Sequence, residues 1–500
     1  MAQGRRNALD IPLALSYDTR DVLANTAMLA GKDQRRLNCH YEITRTSVDA
    51  RPDVALARRP GVTIDASTYG ADGQVQYLVG RDPASVWNPT AWVFVKNSTN
   101  NNVVSSATST TILDDTNYYP RFWEMTNISG TNNVVVQLQN SASPSGTPAQ
   151  KVYYSTAIAT WTNISDAVFV ALSHRGKMEH MDGYAFIADS RHRIYQSAIN
   201  SLVTWADTDY VTKSATLDAT QGLIKGRGHI LLFGTDTVEA FRNEGNASGS
   251  VLSRVKNTEY RIGLSAVAGG GASMVGKTSY YCQIGDLIFF VGRYGGSQFD
   301  SSLIAYDGNR YEKVSRPYED TLLSTATVYS VNRVSFGGKV AVAMQMTLPT
   351  AATQRMLLFF PDINEWFEWD STVWGPVNNG YQYSGVADEQ KLYTFAASNN
   401  WQDAGTSFDM IVQFRLPSAG LDWKTMNMCG LIADTTTAAE NISIQFSNDD
   451  GQNYTTARTV DLNNADKTLH RCGTYRERMV RLTHSGSKEV RLRRFFASVI

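Results

Sequence analysis

The stretch GASMVGKT has the residue types and spacing of a phosphate-binding loop, with Gly271 and Gly276 followed by Lys277 and Thr278. In such loops the glycines let backbone N–H groups converge on phosphate oxygens, while the lysine and the hydroxyl reach the terminal phosphates and the metal ion. A helix must follow the loop, but SYYCQIGDLIFFVG follows here, and its β-branched and aromatic residues predict a hairpin. We therefore interpret the four residues as a chance match, and we predict no bound nucleotide, metal or other cofactor.

A second stretch, FSNDDGQNY, is close to the aspartate box of sialidase-like propellers. Ser447, Asp449, Gly451 and Tyr454 have its spacing, with a tyrosine where tryptophan is usual. In that box the carboxylate accepts hydrogen bonds from backbone amides of a hairpin turn. A calcium loop would need a carboxylate where Phe446 stands. The stretch therefore predicts a folding turn and no metal site.

The other reactive residue types form no catalytic pattern in the sequence. His174 and His180 are six positions apart and match no metalloprotease motif. A glycosidase would need two facing carboxylates, whose distance in space the sequence does not give. The cysteines have no zinc or redox spacing, which predicts buried free thiols; they are Cys39, Cys282, Cys429 and Cys472. From these observations we predict that the chain is not an enzyme.

The elements that would position these residues are predicted to be strands. The 500 residues are 42% hydrophobic and carry a formal net charge of −1, so no basic field indicates nucleic acid or membrane binding. No run approaches the roughly 20 apolar residues that span a bilayer, and we expect no membrane insertion. Five short runs, each launched by a turn, recur about every fifty residues. They are DGYAFIAD, GHILLFG, GDLIFFVG, GGKVAVAMQ and EQKLYTFAA.

This spacing predicts an all-β fold built around a β-propeller with six blades, because stacked blades bury the faces that a single blade would expose. We assign residues 1–60 to an N-terminal docking segment that begins the propeller, and 61–415 to the propeller itself. Residues 82–165, dense in Asn, Ser and Thr, are predicted to be an inserted, solvent-facing β subdomain. Residues 416–500 are predicted to form a C-terminal β unit that ends in a basic hairpin.

The end of the chain is unusually basic and alternates apolar with basic residues, as paired strands do. One basic face of a sheet could contact a phosphate backbone or an acidic neighbouring subunit, and the sequence does not distinguish these partners. A solvated surface is the commoner reason for such a run. The residues of the predicted face are Arg476, Arg478, Arg481, Arg491, Arg493 and Arg494.

Several stretches together resemble one known family. Near the start these are DQRRLNCHYE and LARRPGV; in the middle, MDGYAFIADSRHRIYQSAINSLVTWADTDYVTKSA, HILLFGTDTVEAFRNEGN and GDLIFFVGRYGGSQFDSSLIAYDGNRYEKVSRPYED; at the end, FSNDDGQNYTTARTVDL and YRERMVRLTHSGSKEVRLRRFFASVI. In this order they are similar to the tail nozzle proteins of short-tailed bacteriophages, also called tail hub or packaged-DNA stabilisation proteins. The likeness covers most of the chain outside the predicted insertion.

The resemblance implies a structural virion protein without catalytic residues. It implies a homohexameric ring below the portal and its adaptor, which continues the DNA channel, retains the packaged genome and passes double-stranded DNA at ejection. It further implies attachment of tail fibres or spikes, and a location in the phage tail after synthesis in the bacterial cytoplasm. The alternative that remains open is a carbohydrate-binding or glycan-cleaving propeller, which the aspartate-box likeness and the aromatic content favour.

Overall fold

The computed structural model describes most of the chain, and these residues are almost entirely strands. The described residues are 7–13, 35–44, 53–68, 77–81, 91–96, 101–105, 108–113, 118–140, 150–157, 159–213, 216, 218–264, 280–294, 301–347, 354–371, 377–380, 383–388, 391–395, 401–416 and 422–500.

The regular elements within these ranges are 41 strands and two short helices. The first strands are β1 (Asn7–Pro12), β2 (Arg35–Leu37), β3 (Cys39–Thr44), β4 (Asp53–Arg58), β5 (Val62–Thr68), β6 (Tyr77–Arg81), β7 (Ala91–Lys96), β8 (Asn101–Ser105), β9 (Thr108–Leu113), β10 (Tyr118–Ile128), β11 (Thr131–Asn140), β12 (Gln150–Ala157) and β13 (Thr160–Asn163). After helix α1 (Ala167–Ala171) come β14 (His174–Met181), β15 (Tyr184–Asp189), β16 (Arg193–Ser197), β17 (Trp205–Thr212), β18 (Gly222–Gly226), β19 (His229–Phe233), β20 (Val238–Asn243), β21 (Leu252–Arg254), β22 (Ile262–Leu264), β23 (Tyr281–Ile284), β24 (Leu287–Tyr294), β25 (Ser301–Tyr306) and β26 (Tyr311–Lys313).

Helix α2 (Pro317–Thr325) precedes the last strands, which are β27 (Thr327–Phe336), β28 (Lys339–Thr347), β29 (Gln354–Phe360), β30 (Glu365–Ser371), β31 (Val377–Gly380), β32 (Tyr383–Asp388), β33 (Lys391–Phe395), β34 (Met410–Arg415), β35 (Lys424–Ala433), β36 (Asn441–Ser447), β37 (Arg458–Asp461), β38 (Thr468–His470), β39 (Thr474–Tyr475), β40 (Met479–His484) and β41 (Arg491–Val499). The chain divides into two compact units. The terminal unit comprises Met1–Thr63, Arg355–Thr372 and Phe395–Ile500, and the propeller unit comprises Ile64–Gln354 and Val373–Thr394.

Within the described residues, the propeller unit contains seven consecutive antiparallel blades, one more than the six expected from sequence. They are β6-β7-β8-β9, β10-β11-β12-β13, β14-β15-β16-β17, β18-β19-β20-β21, the sheet of β22 to β26, the pair β27-β28, and β31-β32-β33-β5. The last blade is completed by β5, which precedes the first blade in the chain, and β31 contacts both β27 and β6. The last blade therefore contacts the first, and the ring of blades is closed.

The core of the propeller unit lies between neighbouring blades. Val135 of β11 packs with Ile187 of β15, and Phe186 of the same strand packs on the opposite side with Leu232 of β19. Phe233 then packs with the next blade, where its ring centroid is 4.9 Å from that of Phe290. Central strands such as β15 and β19 are thus buried on both faces, which explains why they are nearly continuous apolar runs.

The predicted recurrence of strands is confirmed, and the segment predicted as an insertion also forms paired strands. The five recurring runs correspond to β15, β19, β24, β28 and β33, each of which lies in a different blade. Residues 82–165 supply β7 to β13, which belong to the first two blades. Val134, Val136 and Leu138 of β11 are fully buried there. Asn, Ser and Thr residues surround these positions, so the segment has an apolar strand pattern only over its central residues.

The terminal unit is built from three separate parts of the chain. One sheet contains β29-β30-β2-β34-β40-β36-β37, in which β2 pairs parallel to β30 and antiparallel to β34. The other has β3-β4-β41-β35-β38, with β1 added to β41 and β39 to β35. Tyr41 meets Phe360 edge to face at 4.9 Å, and Phe414 meets Phe495 at 5.2 Å. Strands from both ends of the chain therefore share one core.

Candidate functional site

Six polar side chains lie together on the inner strands of four successive blades. These strands, β10, β14, β18 and β23, form the inner edges of their sheets. We call the group the inner-strand cluster, and its members are Glu124, Lys177, Glu179, His180, Lys225 and Tyr281.

Two carboxylates of the cluster share one ammonium group. Lys177 Nζ lies 2.7 Å from Glu124 Oε2 and 3.7 Å from Glu179 Oε2. The Tyr281 hydroxyl donates a hydrogen bond of 2.6 Å to Glu179 Oε1. His180 Nδ1 contacts Glu124 Oε1. Because each contact joins different blades or neighbouring residues of β14, the cluster ties several inner strands together.

Burial controls the protonation of this cluster. Glu179 is 1% exposed, and burial raises the pKa of its carboxyl, although Lys177 and Tyr281 act in the opposite direction. Burial also lowers the pKa of Lys225 and lowers that of His180 to about 3. His180 is therefore neutral at physiological pH, while the carboxyl of Glu179 is more easily protonated than that of an ordinary glutamate.

Two carboxyl groups in different environments are the chemical requirement of acid–base glycoside cleavage. Glu179 would be the acid, since burial raises the pKa of its carboxyl, and Glu124 would be the second carboxyl group. Lys177 neutralises both groups, however, and Glu179 is almost fully buried. In this conformation the arrangement is that of an internal ion-pair cluster between blades.

The sequence did not reveal this cluster, because its members come from four segments between positions 124 and 281. The only available signal was the presence of Lys177, Glu179 and His180 within one strand. Among the residues that the structure describes, no group of three or more His, Cys, Asp or Glu side chains could hold a metal ion.

A second polar network lies in the terminal unit and is centred on Arg59, which is wholly buried. Its guanidinium binds Asp403 through two hydrogen bonds of 2.8 and 2.5 Å. Its Nε donates to Asn38 Oδ1 at 2.9 Å, and its remaining N–H groups donate to the carbonyls of Pro60 and Asp370. All five donors of the guanidinium are satisfied. We call these contacts the Arg59 network.

The adjacent Arg58 is also buried and reaches the C-terminal strands. Its Nη1 donates to His484 Nδ1 at 2.7 Å, and His484 Nε2 lies 2.8 Å from Glu440 Oε2. Because an arginine can only donate, the ring proton of His484 must be on Nε2, facing the carboxylate. Burial lowers the pKa of His484, and burial with the nearby Arg59 lowers the pKa of Arg58 to about 10.

The six arginines of the predicted basic face are divided between β40, β41 and the connection from β39 to β40 in the terminal unit. Arg491, Arg493 and Arg494 are on β41, where they form ion pairs with Glu42 and Glu489, with Asp434 and with Asp10, respectively. These acidic partners come mostly from distant parts of the sequence. The positive charge of the closing strand is therefore largely neutralised within the chain.

The other three arginines contact aromatic rings. Arg476 lies over the exposed ring of Trp423 at 4.9 Å, and Arg481 lies 3.5 Å from the ring centroid of Tyr454. Arg478 is buried and donates to the Cys472 carbonyl at 2.6 Å. The structure thus does not bring the six residues together into one charged face.

The aspartate-box stretch is a turn, as predicted. It joins the antiparallel strands β36 and β37. Asp449 Oδ1 accepts from the Ser447 hydroxyl at 2.6 Å and from the backbone N–H of Asn453 at 2.9 Å. These hydrogen bonds lower the pKa of Asp449 to about 2. Gly451 has φ of +80°, which favours glycine.

The residues of the phosphate-loop match, Gly271, Gly276, Lys277 and Thr278, lie outside the described residues. The chain that follows them is β23, which pairs antiparallel with β24 through a turn at Ile284 and Leu287. The predicted hairpin is confirmed. Since a phosphate loop needs a helix in this place, the context does not support nucleotide binding.

Comparisons with known proteins give structural likenesses at low identity. No protein-family model and no curated protein sequence matches the chain. An exo-β-1,3-galactanase structure from Phanerochaete chrysosporium has 8% identity and a TM-score of 0.29, covering 87% of this chain and 100% of that one. A mutant of Trypanosoma rangeli sialidase displaying trans-sialidase activity has 9% identity and a TM-score of 0.30, covering 86% and 96%. A puromycin-hydrolyzing peptidase of Mycobacterium tuberculosis has 9% identity and a TM-score of 0.38, covering 76% and 59%.

These likenesses correct the prediction that the chain is not an enzyme. Galactanase, sialidase, glycoside hydrolase and β-fructofuranosidase structures are among the matches, and all of these names denote enzymes. At identities of 8 to 10% and TM-scores of 0.26 to 0.30, these four matches assign no reaction or substrate to this chain.

Within the described residues, no helix is long and apolar enough to cross a bilayer.

Proposed function

We propose that this chain is a tail nozzle protein of a short-tailed bacteriophage, in a ring beneath the portal and adaptor. One observation carries the proposal. The two N-terminal stretches that resemble this family, around Asn38 and Arg59, meet in one buried network. Arg59 then joins them to Asp403, 344 positions further along the chain. In this proposal, the residues that carry the resemblance also hold distant parts of the terminal unit together, which would suit a structural tail component.

The charge distribution supports this role. A conduit for DNA must not hold the phosphate backbone tightly, because each arginine that binds a phosphate adds salt-dependent affinity. The chain has a net charge of −1, and the arginines of β41 are paired with Asp and Glu of the same chain. Such a protein would line a channel and pass double-stranded DNA without sequence preference.

The proposal includes assembly and location. Six copies would form a closed ring through heterologous contacts, in which one face of a subunit meets a different face of the next. The ring would bind the portal and adaptor complex on one side and offer attachment points for tail fibres or spikes. The protein would be made in the bacterial cytoplasm and would reside in the virion. A wall of paired strands is held by many backbone hydrogen bonds, which would suit a part that contains a pressurised genome.

A second candidate function is binding or cleavage of a glycan, and the inner-strand cluster is the observation that favours it. Glu124 and Glu179 both approach Lys177, and their environments differ as an acid–base pair requires. Glycan cleavage would need this cluster to open, because Glu179 is 1% exposed.

Native mass spectrometry of the full chain, alone and with a purified portal and adaptor complex, tests the first proposal. We expect species of six subunits, formed or stabilised by the adaptor. A chain that stays monomeric under both conditions contradicts the nozzle assignment.

The second candidate is tested with a panel of oligosaccharides and the variants Glu124→Gln and Glu179→Gln. Sugar release that both variants abolish would favour it, whereas absence of retention and cleavage on the panel would exclude it for those sugars.

A further inference from the structure

Two cysteines that are far apart in the sequence have adjacent thiols in the terminal unit. Cys429 Sγ and Cys472 Sγ are 3.5 Å apart, although 43 positions separate the residues. Cys429 lies on β35, and Cys472 lies between β38 and β39, both of which pair with β35. Each cysteine is a free thiol in this structure. The pair could not be predicted from the sequence, because only strand pairing brings the two residues together.

The surroundings distinguish these thiols from the other two cysteines. The hydrogen bond with Cys429 lowers the pKa of the Cys472 thiol, and the positive charges of Arg458 and Arg478 act in the same direction. Cys39 and Cys282 are buried, and burial raises the pKa of both thiols. The thiolate is the reactive form of cysteine, and Cys472 is more exposed than Cys429, so we take Cys472 as the attacking thiol of the pair.

We propose that Cys429 and Cys472 are a modification site, an oxidisable dithiol that closes to an intramolecular disulfide when the protein meets a peroxide. A disulfide needs the sulfur atoms to approach to about 2 Å, so closure requires a movement of roughly 1.5 Å. The backbone beside Cys472 is an irregular connection, with Arg471 at φ of +58° and Gly473 at φ of +80°. The backbone N–H groups of Arg471 and Cys472 donate to the carbonyls of Asn427 and Met426 on β35. A short connection between strands can move by this distance more easily than a central strand.

The reaction balances with hydrogen peroxide as the oxidant. The Cys472 thiolate attacks one peroxide oxygen, the O–O bond breaks, and hydroxide leaves, which gives a sulfenic acid on Cys472. The Cys429 thiol then attacks this sulfur, an S–S bond forms, and the sulfenic oxygen leaves as water. In total, two thiols and one peroxide give one disulfide and two waters. Cys472 is 6% exposed, and Cys429 is fully buried, which orders the two steps in this way.

The disulfide would link β35, which pairs with the C-terminal strand β41, to the connection between β38 and β39. A closed loop of this length restricts the unfolded chain, so oxidation should stabilise the terminal unit. This inference does not depend on the proposed tail function.

The test uses the full-length protein, treated with hydrogen peroxide and compared with the reduced form. We expect a mass lower by two hydrogens, loss of two of the four thiols, and a non-reduced peptide map that joins the peptides of Cys429 and Cys472. A reducing agent should restore the thiols. The melting temperature should rise by roughly 5 °C or more on oxidation.

Matched variants separate this pair from the other cysteines. Cys39→Ser and Cys282→Ser should still form the bond, whereas Cys429→Ser should lose the mass change and the rise in melting temperature. If Cys429→Ser does not fold, the peptide map of the oxidised wild type still decides the question. Three results would each overturn the proposal. They are a peptide map without the link between Cys429 and Cys472, a link that involves Cys39 or Cys282, and a sulfinic acid on Cys472 as the main product.

Discussion

Replacement of Arg59 by methionine tests whether the Arg59 network holds the terminal unit together. The guanidinium is 0% exposed, and all five of its donors are used, two of them on the carboxylate of Asp403. It also lies 3.6 Å from the ring centroid of Phe408. Arg59→Met removes the cation and leaves the Asp403 carboxylate, which is 6% exposed, without its main counter-charge.

The expected loss follows from the burial of the pair. Breaking a buried ion pair by removing one partner costs about 3–5 kcal/mol, because an uncompensated charge stays in the interior. Arg59→Met and Asp403→Leu should each fall in this range, and the double variant should lose less than the sum of the two. Arg310→Met is a matched control, since Arg310 is 77% exposed and its pair with Asp307 should contribute less than about 1 kcal/mol.

Urea unfolding provides the measurement, followed by tryptophan fluorescence and by far-ultraviolet circular dichroism. Trp369, whose ring centroid is 5.9 Å from the Arg59 guanidinium, reports on the network directly. The free energy of unfolding is obtained by linear extrapolation to zero urea. Free energies for Arg59→Met and Arg310→Met that agree within about 1 kcal/mol would refute the reasoning.

Two further predictions concern acid stability and close backbone contact. Burial lowers the pKa of His174 to about 4, whereas the unfolded chain takes up this proton near the ordinary value of 6.5. Stability should therefore fall as the pH decreases from 6.5 towards 4, by about 2 kcal/mol at pH 5 for this group. His174→Gln should flatten the dependence of the urea midpoint on pH over this range, and an unchanged slope would contradict the cause. A Cβ added at Gly61 would lie 2.1 Å from the Gln402 carbonyl oxygen, so Gly61→Ala should lower the free energy of unfolding by roughly 2–4 kcal/mol. Gly130→Ala, which meets nothing within 4 Å but has φ of +81°, should cost only about 1 kcal/mol, and equal melting temperatures for the two variants would argue against the clash.

The strands and turns of this protein could be predicted because their signals are local. The turn before β15 has Asp182 and Gly183 at positive φ, 53° and 82°, and the apolar run of β15 follows directly. The aspartate-box turn needs only Ser447, Asp449 and their neighbours. A turn residue and the strand beside it are determined by the same few positions, so the sequence is sufficient for them.

The number of blades and the role of residues 82–165 were harder to predict. In β11 the buried residues Val134, Val135 and Val136 lie between Asn133 and Gln137, both of which are buried polar residues. These residues are buried because the neighbouring blades cover them, and the composition of the segment does not reveal those contacts. Stacking between blades therefore decided that this polar segment belongs to the propeller.

By itself, the sequence determined an all-β chain with a repeat of about fifty residues, because backbone preference and alternation of burial act over a few positions. The tertiary structure alone decided which residues meet. Arg59 reaches Asp403 across 344 positions, Tyr281 reaches Glu179 across 102, and Cys472 reaches Cys429 across 43. These contacts depend on the register and order of paired strands. Since each register is chosen by packing of the whole sheet, no single stretch of sequence records it.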